Sequence, residues 1–280
     1  MREQLPAKSV TTSAASHPAT AVETPAPCPL VRDERHGRVA VLTLDNPRRL
    51  NALSRDLLTQ LRAGLAKIAA AHEIHCVILR AVGPAFSSGH DLREVAGPDE
   101  ATLLFALCTE VMEAVRHLPQ PVIAEVQGIA TAAGCQLAAT CDLVVASDTA
   151  MFATPGVKIG LFCSTPAVAL ARAVSVKKAV EMLLTGAPIS AAEGERIGLV
   201  NRVVPHERLQ EETMVLAQQI AAASGATLAL GKRTFYEQLP LDRSAAYEVA
   251  ERAMVENALL ADAQEGIAAF LEKRPPRWES

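Results

Sequence analysis

Aromatic side chains are scarce in this 280-residue chain: one tryptophan, two tyrosines and six phenylalanines make up 3% of it. Surfaces that hold nucleic acid by stacking bases need more of them. A net charge of −4 and a pI near 6.0 supply no basic face either, so nucleic acid is not an expected partner. No stretch approaches the roughly 18 consecutive apolar residues of a membrane span, and none is expected. Six cysteines, at 28, 76, 108, 135, 141 and 163, form no C-x-x-C pair or regular framework. Lying mostly in apolar surroundings, they read as reduced, buried small residues. His72 and His75 share a spacing seen in metal sites, but no metal is expected there. No repeat of fixed period is visible.

What the chain does have is apolar bulk. Half of its residues are hydrophobic, enough for one large domain with a smaller region beside it. Residues 1–29 stand apart: rich in Ala, Ser, Thr and Pro, they cannot bury a core and read as a flexible tail. A mitochondrial transit peptide has a similar composition but more arginine, and Arg2 and Lys8 are the only Arg or Lys residues there. A cytoplasmic protein is expected, with mitochondrial targeting by residues 1–29 as the alternative.

Residues 38–44 alternate as a strand does, and 76–81, 122–126 and 143–146 are further strand-length runs. Ser54 is placed to cap a helix whose Leu57, Leu58, Leu61, Leu65 and Ile68 share one face. Another helix is expected over 102–117. This alternation predicts an α/β fold. Beyond Thr165-Pro166 the pattern predicts helices at 165–173, 175–185, 191–197, 206–223, 226–238 and 242–270, with Gly225 as a break. The resulting division is a tail (1–29), a core (30–224) and a C-terminal helical region (225–280).

The stretch with chemical promise is 121–142, PVIAEVQGIATAAGCQLAATCD. An apolar strand ends at Gln127-Gly128, and a short helix then opens on small residues, Ala132-Ala133-Gly134. Free N–H groups at a helix start stabilise an anion or a developing oxyanion. Upstream, FSSGHDL at 86–92 makes a second glycine-bearing turn after a strand-like run. Two such turns, each giving one N–H to a single carbonyl oxygen, would form an oxyanion hole.

These two segments resemble the signature segments of the crotonase (enoyl-CoA hydratase/isomerase) superfamily. Asn46-Pro47, Leu50-Asn51-Ala52-Leu53, Phe152-Ala153-Thr154-Pro155, GLVNRVVP at 198–205 and FLEKRPPRW at 270–278 extend the resemblance over residues 31–280 in family order. ATAAGCQLAA and FATPGVKIGLFCSTP are most similar to the mitochondrial enoyl-CoA hydratase domain-containing type. The resemblance implies a crotonase-like ββα spiral core with a C-terminal helical trimerisation region. It also implies assembly as a homotrimer or as a hexamer of two trimers. The implied ligand is an acyl-CoA, with coenzyme A entering as part of the substrate and no tightly bound cofactor. By the same resemblance the oxyanion N–H groups are those of His90 and Ala133. Ala52, Leu53, Ser88, Gly89, Asp91, Leu92, Arg93 and Gly134 line the substrate's path, while Arg48, Arg49 or a neighbouring subunit's Lys273 meets the phosphates. Alanine at 133, where the family commonly has glycine, keeps the donor if its φ is negative.

The acid–base side departs from the family. A crotonase hydratase holds its water between two glutamates, and the matching positions here are Gln136 and Gly156. Glutamine holds a water but cannot take its proton near neutral pH, and glycine does neither. Hydration by the usual route is therefore doubtful. His90, Glu110 and Glu113 are the available substitutes. Glu125 needs a partner within its apolar strand, and Asp91 is suited to capping its own turn. At Cys163 a helix cap on Ser164, followed by Pro166, outweighs a nucleophile. Three readings stay open: an acyl-CoA enzyme with a non-standard proton relay, a CoA-thioester binder with little or no turnover, and a decarboxylase or thioesterase.

Overall fold

The structure is a computed structural model that describes residues 29–279. The reading of 1–29 as a tail, and any targeting role for it, falls outside these residues save for Pro29. In chain order the strands are β1 (Val31–His36), β2 (Val39–Leu44), β3 (Cys76–Ala81), β4 (Ala85–Ser87), β5 (Val122–Val126), β6 (Ile129–Thr131), β7 (Leu143–Ser147), β8 (Met151–Ala153), β9 (Ile189–Ser190) and β10 (Arg202–Val204). The helices are α1 (Arg55–Ala69), α2 (Pro98–His117), α3 (Ala133–Thr140), α4 (Ser164–Ala173), α5 (Val176–Thr185), α6 (Ala191–Ile197), α7 (Leu209–Ala221), α8 (Gly225–Gln238), α9 (Arg243–Ala258) and α10 (Ala261–Glu272).

Two sheets share the strands. The larger runs β1-β2-β3-β5-β7-β10 and the smaller β4-β6-β8-β9. Only β1 in the first and β9 in the second pair antiparallel to their neighbours. The chain therefore climbs in repeated steps, β3-β4-α2, β5-β6-α3 and β7-β8-α4. Each step gives one strand to each sheet before a helix crosses back, which is the ββα spiral the resemblance implies.

Period-two alternation decides what each face of the large sheet meets. Leu42, Leu79, Val122 and Ala124 point to one side, into the core closed by Leu57, Leu58, Leu61 and Leu65 of α1 and Leu104 and Val111 of α2. Val41, Ile78, Ile123 and Val145 point to the other, against Leu209, Leu216 and Ala217 of α7. Each such leucine or isoleucine contributes about 1.5–3 kcal/mol by leaving water. The start of α1 is fixed as its sequence predicts, by Ser54 Oγ accepting the Leu57 N–H at 3.3 Å.

Glu125 finds its partners within the fold, beside Thr213 and Arg80, while burial pushes its carboxyl up. The helical C-terminal region is pinned to the core by Lys232, whose Nζ pairs with Asp142 at 2.7 Å and donates to the Val115 and Gln120 carbonyls at 3.1 Å.

Several helix boundaries differ from the sequence reading: α2 begins at Pro98 rather than 102, α7 at Leu209 rather than 206, and two further differences have a visible cause. The expected helix 242–270 is broken between α9 and α10. The N–H groups of Leu259 and Leu260 bond back three residues, to Glu256 at 3.2 Å and Asn257 at 3.0 Å. Leu260 then turns extended, at φ −65° and ψ 142°. This tightening ends α9 without glycine or proline, and α10 folds back so that the segment after it reaches the core, Trp278 Nε1 donating to Ala222 O at 2.8 Å. At α4 the capping position is Cys163, with Ser164 already the first helical residue.

Candidate active site

β4 and β6 are parallel neighbours, with Ala85 opposite Ile129 and Ser87 opposite Ala130. Both therefore deliver their following turns to the same edge of the small sheet, the edge where α/β folds collect ligand-binding backbone. Gly89 (φ +90°) sits directly against the second turn: a Cβ built on it would lie 2.9 Å from Ala132 Cβ and 3.2 Å from Ala133 N. Only glycine allows that approach.

The main chain around His90 is oriented by Leu53. Leu53 N–H donates to Gly89 O at 2.8 Å and its carbonyl accepts from Asp91 N at 3.4 Å, a parallel bridge that leaves the N–H of His90 itself facing away from Leu53. Ala132 N–H donates to Ala153 O at 2.9 Å. Ala133 opens α3, so its N–H has no acceptor within the helix. Among the described residues, neither the His90 nor the Ala133 amide donates to a main-chain acceptor. Asn51, fully buried, braces the upstream turn by donating to Val82 O at 2.9 Å and Ala85 O at 2.8 Å.

Ala133 has negative φ, as the donor requires; the strain sits one residue earlier. Ala132 adopts φ +50° and ψ −118°, a region costly for any residue with a Cβ. That twist turns the Ala132–Ala133 peptide toward the first turn. Ala132→Gly should relieve it and raise stability by about 1 kcal/mol, measured as a higher midpoint in urea.

In front of the two amides lies a cavity of about 710 Å³. Of the residues expected to act here, His90, Ala133, Gly156, Ala52, Ser88, Asp91 and Leu92 line it. Leu53 and Gly89 lie behind the wall as supports. Gly134 packs against Ser87, where a Cβ would overlap the Ser87 carbonyl oxygen and come within 2.7 Å of its Cβ. Arg93 and Arg49 face Asp91, at 2.6 and 3.1 Å. The Arg93 hydrogen bond holds the Asp91 carboxyl below its usual range, and Asp91 also caps its own turn by accepting from Arg93 N–H. Glu110 pairs with Arg62 and Glu113 with His117, both exposed and away from the cavity. Phe105, Ile159, Leu161 and Phe162 also form the wall; as ordinary apolar residues in a loop and a helix, they gave no sign of it in the sequence. His75 is buried, with its Nδ1 2.9 Å from Ala223 O. Among the described residues no three His, Cys, Asp or Glu side chains are grouped to hold a metal.

The enoyl-CoA hydratase/isomerase family model matches residues 34–280. The chain belongs to this family. It is similar to the rat "enoyl-CoA hydratase domain-containing protein 3, mitochondrial", 55% identical over 240 residues that cover 85% of this chain and 80% of that protein. A probable enoyl-CoA hydratase from Rhizobium meliloti is 36% identical, with 86% of this chain and 94% of the relative covered. Among solved structures, human enoyl Coenzyme A hydratase domain-containing protein 3 superposes with a TM-score of 0.87 at 50% identity, covering 89% of this chain and 100% of the other.

Against that family the two acid positions stand out. Gln136 is buried but lies outside the cavity lining, and its Oε1 has no hydrogen-bond partner. Gly156 does line the cavity, yet a Cβ there would overlap the Leu161 carbonyl oxygen and lie 2.8 Å from Cys163 Sγ. At the position the sequence reading assigns to a second glutamate, the space is thus filled by the 161–163 segment of the chain. Cys163 is no thiolate, because burial pushes its thiol up.

His90 stacks edge-on to Phe105, ring centroids 5.0 Å apart, and burial alone pushes its imidazole down to about 4. It is neutral at pH 7. As pH falls from the unfolded value near 6.5 toward 4, the unfolded chain takes up a proton that the fold refuses, so stability drops. The loss is about 2 kcal/mol after allowing for the ring's remaining contact with solvent. His90→Phe should flatten this part of the melting-temperature profile.

Proposed function

We propose that this chain binds acyl-CoA thioesters and polarises the thioester carbonyl with the main-chain N–H groups of His90 and Ala133, stabilising the enolate that forms when charge builds on that oxygen. The observation that carries this reading is the contact of the two turns: Gly89 pressed against Ala132-Ala133, with neither amide engaged by a main-chain acceptor. Each donor would supply about 3–4 kcal/mol of barrier lowering. In this reading Ala52, Ser88, Asp91 and Leu92 guide the pantetheine arm, coenzyme A arrives as part of the ligand, and the protein serves fatty-acyl metabolism. Water addition by the family's route is not expected, since neither Gln136 nor Gly156 can move a proton. With purified protein, crotonyl-CoA absorbance should decay at close to its uncatalysed rate, while butyryl-CoA binds in calorimetry more tightly than free CoA. Rapid hydration would overturn the first expectation, and absence of binding the second.

A second reading is favoured by one observation. His90 is neutral and a poor base, Cys163 is protonated and Asp91 is ion-paired, so none of these cavity groups is poised near neutral pH. Such a site suits a CoA-thioester binder with little turnover, a regulatory protein. It also suits decarboxylation or thioester cleavage, in which enolate or oxyanion stabilisation carries more of the work. Release of CO₂ from malonyl- or methylmalonyl-CoA separates these outcomes.

Assembly as a homotrimer, or a hexamer of two trimers, fits the outer faces of α9 and α10. There Leu259 is 77% and Phe270 82% exposed, beside Met254, Val255 and Leu271; apolar faces of this extent mark contact surfaces. Light scattering on the full chain decides the number. The relatives' names place them in mitochondria, which favours the mitochondrial alternative over the cytoplasmic one. A fluorescent fusion of residues 1–29 tests it.

A further inference from the structure

Beyond the two amides, the far wall of the cavity is built in an unexpected way. The short helical turn Pro155–Ile159 ends at Gly160 (φ +79°), and Leu161 N–H returns to Gly156 O at 2.9 Å. Because Gly156 has no side chain, the Leu161 carbonyl and Cys163 close over it. The result is a lip of three large apolar side chains on the cavity wall, Ile159, Leu161 and Phe162, that remain 61%, 44% and 52% exposed. Leu92, 56% exposed, adds to the same wall. Contiguous exposed apolar surface of this kind marks a place where something binds. The position that would carry an acid has been exchanged for a greasy wall.

We infer that this lip seats the hydrocarbon tail of a medium- or long-chain acyl-CoA in preference to a short acyl group. The inference rests on the acyl-CoA reading above. Continuity argues for the tail as occupant: one cavity holds His90 and Ala133 at its base and Ile159, Leu161 and Phe162 along its wall. Its volume of about 710 Å³ lies in the upper part of the usual range for ligand sites, and the pantetheine arm and the acyl group share it.

The test is calorimetric titration of the full chain with butyryl-, octanoyl- and dodecanoyl-CoA. A fully buried methylene raises affinity about fourfold, and a half-covered one about twofold. Dodecanoyl-CoA should therefore bind roughly a hundredfold or more tighter than butyryl-CoA. In Ile159→Ser/Phe162→Ser, whose side chains point outward and whose melting curve checks the fold, most of that gradient should vanish. Equal affinity along the series with butyryl-CoA still bound overturns the inference and leaves the acyl-CoA reading intact. So does a lip variant that keeps the gradient but changes the oligomeric mass, which would assign the lip to a second copy of this chain. No binding at any length removes both.

Discussion

Installing the family's two glutamates, Gln136→Glu with Gly156→Glu, is expected to give a poorly folded protein and no hydratase. Adding acids where a family uses them ordinarily restores function when the surrounding frame has kept its shape. Here it has not. Any side chain at 156 begins with a Cβ that overlaps the Leu161 carbonyl and crowds Cys163 Sγ, and backbone cannot yield as the end of a flexible side chain does. Gln136 is 5% exposed and lies outside the cavity lining, so a carboxyl there is desolvated and its pKa driven up. Overpacking and burial together should cost about 3 kcal/mol or more, read as a lower urea midpoint, with crotonyl-CoA turnover at the level of the parent. A double variant that folds normally and hydrates crotonyl-CoA well above the parent would show that segment 156–163 moves aside.

Gly134→Ala should be nearly as damaging, for a different reason. Within a helix, alanine in place of glycine ordinarily stabilises by up to about 1 kcal/mol. At 134 the added methyl overlaps the Ser87 carbonyl, and Ser87 is fully buried with its hydroxyl donating to Asn51 O at 2.8 Å. The small sheet must shift, and it carries Gly89 and His90 away from Ala133. The expected loss is about 3 kcal/mol of stability with acyl-CoA affinity down by more than tenfold. Gly231, on the open side of α8 where an added methyl would meet nothing within 4 Å, is the control: Gly231→Ala should leave binding alone and hold or raise the melting temperature.

Much of this architecture is legible in the sequence, and particular residues show why the rest is not. β2, β3, β5 and β7 announce themselves because four to six successive residues are buried on both faces, which demands apolar runs such as VAVLTL and VIAEV. The strands of the small sheet are two or three residues long, too short for any alternation to register. FSSGHDL and ATAAG could be paired as two turns because glycine and small residues mark close approach. The strained residue that aims the second amide is Ala132, and alanine does not advertise a positive φ. The substitution at 156 could be read as a missing acid, but only the fold shows that Leu161 and Cys163 occupy its space. The break at Leu259-Leu260 lacks the glycine or proline that would have betrayed it.

The proposed function depends on two amides meeting one oxygen, and vibrational spectroscopy would see that meeting directly. An acyl-CoA carrying ¹³C at the thioester carbonyl, bound at saturation, should show its isotope-edited C=O stretch at lower frequency than in water, as two fixed donors draw charge onto the oxygen. A carbonyl band at the solution frequency, with the ligand demonstrably bound, would mean that the His90 and Ala133 amides do not hold it, and the proposed chemistry would be wrong.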